Sequence, residues 1–287
     1  MEPVSAQRIE TIGDATLILG DCREVLPTLS PAKVVLTDPP YRVTSGGFGD
    51  LEGGFGGWIK DSYDNKGAIV DCDISWHEWL RLIPAALVED AHVYVFSNDR
   101  NLPNVWAAAE GAGFKFHRLL TWDKRAALPN RWYQQTCEFV WFGRQGKAFM
   151  ISNPSSKALQ SIFQRDESEH PTEKPVALCQ LYIENSTSPG DVVLDPFMGS
   201  GTTGVAALRS GRKFVGIELT EKWFDVACER LSRAKDAPGL FADHPAAFAQ
   251  PSLLDEGLNP IGPVVAKVAA QVLDKALERD QDQGEAA

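Results

Sequence analysis

The sequence has no long apolar run and no leader-like segment at its start. Nowhere in its 287 residues do about 18 apolar residues follow one another, the length that a membrane-spanning helix needs. The first residues also lack the basic segment followed by an apolar stretch that is typical of a secretory signal peptide. These absences predict a protein that neither spans a membrane nor is secreted, and hence a cytoplasmic one.

Cysteine is scarce and scattered. The five cysteines are odd in number, and no two of them have the C-x-x-C spacing of a zinc or redox site. They are Cys22, Cys72, Cys137, Cys179 and Cys228. This pattern is typical of reduced thiols, so the sequence predicts no structural zinc site and assigns no metal ligand.

The net charge of −11 is not what a nucleic-acid-binding protein usually carries, but the charges are unevenly distributed. Residues 115–165 contain nine basic side chains and two acidic ones, whereas residues 236–287 contain nine acidic and three basic ones. A local basic segment can contact phosphates even in an acidic protein. The sequence therefore predicts a phosphate-binding face in the first of these segments, with a merely solvated basic surface as the alternative.

Strand-like and helix-like segments alternate along the chain, and a hydrophobic content of 44% allows a sizeable core. Buried strands are predicted at 15–21, 32–38, 92–98, 114–124, 137–144, 191–197 and 213–219. Helices are predicted at 23–29, 74–91, 101–114, 175–186, 202–211, 220–234 and, in the acidic tail, 264–280. This alternation predicts an α/β fold with a doubly wound, mostly parallel sheet.

The most informative motif, Asp38-Pro39-Pro40-Tyr41, follows the apolar run 34–37. Open α/β sheets bind their ligands at the carboxyl ends of their strands. A carboxylate can accept one N–H of an exocyclic amine, a carbonyl held by the prolines can accept a second, and an aromatic ring can stack on the face of the ligand. These residue types indicate a site for an amine on a flat ring, with a plain Pro-Pro turn as the alternative.

A second motif, Gly199-x-Gly201-x-x-Gly204, lies between a predicted strand and a predicted helix. It matches the fingerprint of a dinucleotide-binding turn, and Glu218 at the end of the next strand can accept hydrogen bonds from ribose hydroxyls. The motif admits two cofactors, a nicotinamide dinucleotide and S-adenosylmethionine. Asp195, near the end of the preceding strand, favours S-adenosylmethionine, because a carboxylate attracts a cationic ammonium and repels a pyrophosphate.

Together these motifs resemble those of the amino-methyltransferases of DNA, the family that modifies adenine N6 or cytosine N4. The resemblance rests on TDPPY at 37–41, LTWDK at 120–124, HPTEKPVAL at 170–178 and DVVLDPFMGSGTT at 191–203. The catalytic motif precedes the cofactor motif, as in the circularly permuted β group of that family. The resemblance thus implies a circularly permuted, S-adenosylmethionine-dependent methyltransferase domain.

The resemblance also implies a division of the chain. The methyltransferase domain covers 12–235, with a catalytic half at 12–124, a target-recognition region at 125–170 and a cofactor half at 170–235. An acidic, partly disordered tail with one helix follows at 236–287.

The family's roles can be carried over residue by residue. Catalysis is implied for Asp38, Pro39, Pro40 and Tyr41. Cofactor binding is implied for Asp195, Phe197, Gly199, Ser200, Gly201, Glu218, Thr172, Lys174, Asp21 and Cys22. Base or DNA contacts are predicted for Trp122, Lys124, Arg125, Arg131, Lys147 and Lys157, and a core position is the alternative for Trp122.

The resulting prediction is a site-specific DNA methyltransferase that modifies adenine N6 of a flipped-out base. Asp rather than Ser at the first motif position favours adenine over cytosine N4, which stays the alternative. A NAD-dependent oxidoreductase and an inactive DNA-binding protein are alternatives from other classes. Methylation of cytosine C5 is not expected, because its nucleophile is usually a cysteine after a proline and no cysteine here follows a proline.

The implied partner is double-stranded DNA, and a cognate restriction endonuclease is a candidate second partner. The resemblance also implies a bacterial or phage origin. The sequence assigns no oligomeric state, and a dimer is compatible with it.

Overall fold

Nine strands form one sheet in the computed structural model, which describes residues 8–40, 74–124, 136–161 and 174–236. The strands are β1 (Arg8–Ile12), β2 (Ala15–Leu19), β3 (Ala32–Thr37), β4 (Leu87–Ser97), β5 (Lys115–Asp123), β6 (Cys137–Gln145), β7 (Leu159–Ser161), β8 (Val192–Asp195) and β9 (Lys213–Glu218). Their order across the sheet is β1-β2-β9-β8-β3-β4-β6-β5-β7. All except β1 and β6 run in the same direction, which confirms the predicted mostly parallel sheet.

The described residues form six α-helices, of which five connect strands and the sixth follows β9. They are α1 (Cys22–Val25), α2 (Trp76–Leu80), α3 (Leu102–Gly111), α4 (Val176–Ser186), α5 (Thr202–Arg209) and α6 (Glu221–Asp236). Short 3-10 helices follow α1 at Leu26–Thr28 and α2 at Ile83–Ala86.

Alternating side chains of the strands form two apolar cores, one on each face of the sheet. On β3, Val34 and Leu36 belong to the first core, whereas Val35 belongs to the second. Helices α4, α5 and α6 pack into the first core, and helices α1, α2 and α3 pack into the second. Helices on both faces confirm the doubly wound arrangement.

The two ends of the parallel strands define two rims of the sheet. We call the edge at which β3, β4, β8 and β9 end the carboxyl rim, and the edge at which they begin the amino rim. Thr37, Ser97, Asp195 and Glu218 are the last residues of these four strands and therefore mark the carboxyl rim.

The helix predicted over 74–91 is wrong beyond residue 80. Helix α2 ends at Leu80, a 3-10 turn follows, and residues 87–91 already belong to β4. Pro84 lacks the N–H that a continuing helix would use, and Leu87 pairs instead with Ala32 of β3. The sequence pattern also does not predict β1 and β7, the short strands at the two sides of the sheet.

Several predicted features lie outside the described residues. They are Tyr41, Arg125, Arg131, Thr172 and the tail helix at 264–280. The boundaries of the catalytic half, the recognition region and the cofactor half stay predictions, as does the circular permutation. In the described part of the chain, no helix combines the length and the apolar character that crossing a membrane requires.

Candidate active site

Two neighbouring parallel strands bring Asp38 and Asp195 to the carboxyl rim. Strands β3 and β8 pair with Val35 opposite Leu194, so the residues that follow on each strand lie side by side. Thr37, the last residue of β3, donates a hydrogen bond of 2.7 Å from its hydroxyl to Asp195 Oδ1. The two predicted motifs, far apart in sequence, are therefore neighbours in the fold.

The Asp38 side chain is partly buried, and one of its two carboxylate oxygens has no hydrogen-bond partner among the described residues. Its Oδ2 accepts a hydrogen bond from the Lys174 ammonium, whereas Oδ1 is buried without a hydrogen-bond partner in the described part of the chain. Burial raises the pKa of Asp38, and the Lys174 ammonium opposes this rise. A buried acceptor without a partner costs about 1–3 kcal/mol, so Oδ1 is well suited to accept an N–H from a substrate.

Four charged side chains lie together at the carboxyl rim, with Lys174 at their centre. We call Asp38, Lys124, Glu138 and Lys174 the charged cluster. The Lys174 ammonium pairs with Asp38 and lies 3.1 Å from Glu138 Oε2. Glu138, on β6, also pairs with Lys124, which follows β5. Burial opposes ionisation of Glu138, but the two ammonium groups outweigh it and hold the pKa of Glu138 below its ordinary value. The cluster thus balances two carboxylates with two ammonium groups.

The contacts within the charged cluster differ from the roles that the sequence suggests for its two lysines. Lys174 is predicted at the cofactor and Lys124 at the DNA, yet the structure places both ammonium groups on carboxylates. Glu138 is not predicted as a site residue at all. The available signal is that Glu138 is one of only two acids in the basic segment 115–165.

Asp195 is buried, with 3% of its surface exposed, and is held by several hydrogen bonds. Besides the Thr37 hydroxyl, Oδ1 accepts a bond of 3.1 Å from the Phe197 N–H, and the Thr203 side chain also bonds this carboxylate. Burial outweighs these bonds and raises the pKa of Asp195 to about 6. A cationic ligand near this carboxylate would favour its ionised form.

The raised pKa of Asp195 predicts how stability depends on pH in the protein without ligands. An unfolded aspartate titrates near 3.8, so between this value and about 6 the folded protein holds the proton more tightly. The stability that this group contributes is complete below the unfolded pKa and is lost as pH rises through 6, about 3 kcal/mol in total. We therefore expect the unfolding free energy of the wild type, relative to Asp195→Asn, to fall by up to that amount between about pH 4 and pH 7.

Urea unfolding of both proteins at several pH values measures this difference. Asp225→Asn, which changes an exposed carboxylate on α6, serves as a control and should not show the same dependence. A difference between wild type and Asp195→Asn that stays constant with pH would contradict the raised pKa.

The glycines of the second motif each meet a steric demand. Gly199 and Gly201 have φ angles of 51° and 81°, in the left-handed region that side chains disfavour. A Cβ at Gly201 would lie 2.8 Å from Leu231, and one at Gly204 would lie 2.7 Å from Phe214, so the loop and α5 pack directly on α6 and β9. A Cβ at Gly199 would meet no other described atom within 4 Å, which leaves this side of the loop open.

Arg230 of α6 also holds the glycine loop in place, through hydrogen bonds to Ser200. Its guanidinium donates hydrogen bonds of 2.7 Å to the carbonyl oxygen of Ser200 and 2.8 Å to its hydroxyl. The Ser200 side chain, predicted at the cofactor, is thus engaged by the protein and is 6% exposed. The main chain of the loop is therefore better suited to contact a ligand than the Ser200 side chain.

Glu218 and Asp21 lie close together at the carboxyl rim, because β2 and β9 run parallel and end together. Glu218 accepts a 3.1 Å bond from the Gly199 N–H and further bonds from the N–H and hydroxyl of Thr220. Oε1 thus already accepts two bonds, whereas Oε2 accepts one and can accept a second. Asp21 caps α1 by accepting a bond from the Arg23 N–H, and the Arg23 guanidinium holds the pKa of Asp21 below its ordinary value.

Three apolar residues predicted at the site pack into the protein. The Phe197 ring meets Trp79 edge to face, with ring centres 5.2 Å apart. Cys22 is 6% exposed in the second core. Trp122 is 2% exposed in the first core, opposite Glu138 of β6, so the structure places it in the core beside the charged cluster.

The described basic side chains of segment 115–165 do not lie together in the structure. Strands β5 and β6 are antiparallel, with Lys115 opposite Arg144 and both near the amino rim, away from Asp38. Lys147 follows β6 at the same rim, where its N–H donates to Asp90. Lys157 is exposed and precedes β7, at the side of the sheet. Among the described bases of this segment, Lys124 alone lies in the charged cluster.

Comparison with known proteins identifies the family to which the chain belongs. A family model described as DNA methylase matches residues 32–229, a range that contains both motifs. The type II methyltransferase M2.DpnII of Streptococcus pneumoniae is 29% identical in an alignment 237 residues long that covers 75% of this chain and 88% of that protein.

Two solved structures share the fold at lower identity. The crystal structure of the M1.HpyAVI–SAM complex gives a TM-score of 0.58 at 24% identity and covers 75% of this chain and 99% of that chain. The PvuII DNA methyltransferase, which is cytosine-N4-specific, gives a TM-score of 0.58 at 18% identity and covers 79% and 92%. With the family match over most of the chain, these findings confirm the resemblance seen in the motifs: the chain belongs to the DNA methylase family of N6 and N4 amino-methyltransferases.

Proposed function

We propose that the protein transfers a methyl group from S-adenosylmethionine to N6 of adenine in double-stranded DNA. The observation that carries this proposal is the position of Asp38. Its unfilled Oδ1 lies at the carboxyl rim, on the strand next to the one that leads into the glycine loop. An amine bound to Asp38 therefore lies close to a ligand of that loop.

The residues around the glycine loop suit S-adenosylmethionine better than a nicotinamide dinucleotide. The open side of Gly199 admits a ligand, and Oε2 of Glu218 can accept one further hydrogen bond, from a ribose hydroxyl. Asp195, the last residue of the strand that leads into the loop, favours a cation over a pyrophosphate. When bound, S-adenosylmethionine supplies a methyl group that is already activated on a sulfonium, so the task of the protein is chiefly positioning.

The amine of adenine is a weak nucleophile, because its lone pair is delocalised into the ring. A hydrogen bond from N6–H to Asp38 Oδ1, with a second to a main-chain carbonyl at Pro39, draws the nitrogen toward tetrahedral geometry and exposes its lone pair. The nitrogen forms its new bond to the methyl carbon as the carbon–sulfur bond breaks and sulfur keeps the electron pair. The proton that N6 then loses can pass to Asp38.

A base inside a duplex cannot reach this rim, so the target adenine must be flipped out of the helix. The sequence predicts that Tyr41 stacks on the flipped base. This residue lies outside the described part of the chain and keeps that role as a prediction.

Modified-base sequencing of DNA from cells that express the protein tests the proposal. Asp at the first motif position resembles the adenine enzymes, so we expect N6-methyladenine in one sequence context, absent from cells that express Asp38→Ala. N4-methylcytosine in one sequence context would mean that the target is cytosine N4, the alternative, and not adenine N6. DNA without either mark would contradict the proposed activity.

Contact with DNA is expected from Arg125 and Arg131, which follow Lys124 of the charged cluster in the sequence and lie outside the described residues. We expect Arg125→Gln/Arg131→Gln to weaken binding and to reduce the slope of log affinity against log salt by about 0.9 for each lost phosphate contact. Lys115→Gln/Arg144→Gln removes the same charge near the amino rim and is the matched control, which should keep the wild-type slope. Titrations at several salt concentrations measure both slopes. A changed slope in Lys115→Gln/Arg144→Gln, with the wild-type slope in Arg125→Gln/Arg131→Gln, would mean that DNA binds near the amino rim instead.

The relatives suggest a biological setting. Because M2.DpnII is a bacterial type II methyltransferase, we extend the proposal to a protein of the bacterial cytoplasm that protects DNA from a restriction endonuclease with the same recognition sequence. DNA methylated by the protein should then resist a restriction endonuclease that is encoded in the same genome as the protein. Cleavage of the methylated DNA by every such endonuclease would contradict this extension.

A further inference from the structure

Lys174 reaches the Asp38 carboxylate from a distant part of the sequence. It precedes Pro175 and helix α4, and 7% of its side chain is exposed. Its ammonium bonds Asp38 Oδ2 and lies 5.2 Å from the centre of the Phe96 ring on β4. A lysine so deeply buried loses most of its hydration, and partners must compensate for that loss.

Glu138 supplies a second partner that does not depend on Asp38. It lies 3.1 Å from the Lys174 ammonium and is itself paired with Lys124. If Asp38 were the only partner, any proton that Asp38 accepted would leave a buried ammonium without a counter-charge. With Glu138 present, Lys174 stays paired while Asp38 binds an amine or takes up a proton.

The two oxygens of Asp38 are thereby made unequal. Lys174 occupies Oδ2, whereas Oδ1 is buried and has no partner within the described residues. A free carboxylate could present either oxygen and could also rotate. A carboxylate held at Oδ2 presents Oδ1 in one direction, which is the kind of preorganisation that methyl transfer requires.

We propose that Lys174, held by Glu138, is a positioning residue for methyl transfer: it fixes Asp38 through Oδ2, keeps its negative charge in place and leaves Oδ1 for the substrate amine. The inference rests on the function proposed above, because it assigns Oδ1 to the amine. It replaces the cofactor-binding role that the resemblance implies for Lys174.

The negative charge matters because only the ionised form of Asp38 is purely an acceptor. A protonated Asp38 would carry an O–H and would accept the amine N–H less well. The groups that bear on the titration of Asp38 are Lys174 and Lys124, which favour its ionised form, and Glu138 and Asp195, which disfavour it. Removing Lys174 should therefore favour protonation, and removing the charge of Glu138 should disfavour it.

Carboxyl NMR of aspartate-labelled protein tests this coupling without DNA or cofactor. The Asp38 signal is the one missing in Asp38→Asn. We expect its titration midpoint to rise by about 1–3 pH units in Lys174→Met, to stay near the wild-type value in Lys174→Arg, and to fall in Glu138→Gln. Glu138→Gln keeps the shape of the side chain and tests the cluster even where Lys174→Met does not fold.

Kinetics then tests the positioning role. We expect Lys174→Met to lose about 10–100-fold in turnover at neutral pH, to recover part of it at higher pH, and to bind S-adenosylmethionine as the wild type does. Lys213→Met, an exposed lysine at the start of β9 near the amino rim, is the matched control and should change neither quantity.

The outcomes separate the inference from the proposed function. Unchanged Asp38 titration in both Lys174→Met and Glu138→Gln would overturn the inference, as would weaker cofactor binding as the main effect of Lys174→Met. If the variants show the expected NMR shifts but the wild type methylates no DNA, the coupling is supported and the proposed function is contradicted instead.

Discussion

Replacing Asp38 by alanine is expected to lower methyl transfer by about 10²–10³-fold and to leave the affinity for S-adenosylmethionine nearly unchanged. The rate falls because Oδ1 is the acceptor that prepares the amine, and one well-placed transition-state hydrogen bond contributes this much. The affinity is kept because Asp38 follows β3, whereas the cofactor loop follows β8. Single-turnover rates and calorimetry measure the two effects separately.

Asp225→Ala is the control for this experiment. Asp225 is an exposed carboxylate that accepts a hydrogen bond of 2.7 Å from Arg8, and its loss should leave the rate unchanged. Near-wild-type turnover in Asp38→Ala would contradict the mechanism. A loss of cofactor binding as large as the loss of rate would instead place Asp38 on the cofactor.

Replacing Glu218 by alanine is expected to weaken S-adenosylmethionine binding by about 1.5–3 kcal/mol, the range for hydrogen bonds to a charged group. Two effects act in the same direction. The ribose hydroxyls lose their acceptor, and the Gly199 N–H loses the carboxylate that holds the loop in place. Calorimetry measures the change directly.

Two variants make this result specific. Glu221→Ala removes an exposed carboxylate from the first turn of α6 and should leave the affinity unchanged. Glu218→Gln keeps one acceptor oxygen and should lie between Glu218→Ala and the wild type. Unchanged affinity in Glu218→Ala would make Glu218 a structural residue, and tight NAD binding by the wild type would favour the oxidoreductase alternative.

The central strands could be predicted because their signals are local. Strands β3 and β8 are continuous apolar runs that end at turn residues, and the two motifs lie at their carboxyl ends. The helix over 74–91 failed as a prediction because Pro84 interrupts an otherwise helical pattern, and pairing with β3 decides the state of the residues after it. Strands β1 and β7 are five and three residues long and half exposed, so their periodicity is too weak to recognise.

The charged cluster and the position of the basic residues could not be predicted in the same way. Asp38, Glu138 and Lys174 come from three distant segments, and periodicity indicates which face a residue occupies, not which side chains meet at a rim. The basic segment is compact in sequence, but β5 and β6 are antiparallel and carry its bases to different rims. Only the three-dimensional pairing reveals that Lys124 and Arg144 lie far apart along the sheet.

The most direct test of methyl transfer to adenine uses purified protein, duplex DNA and S-adenosylmethionine with a labelled methyl group. The DNA is digested to nucleosides after the reaction, and the labelled nucleoside is identified by mass. We predict label in N6-methyldeoxyadenosine for the wild type and its loss in Asp38→Ala. Label in N4-methyldeoxycytidine, or DNA without label from a protein that binds both substrates, would contradict this prediction.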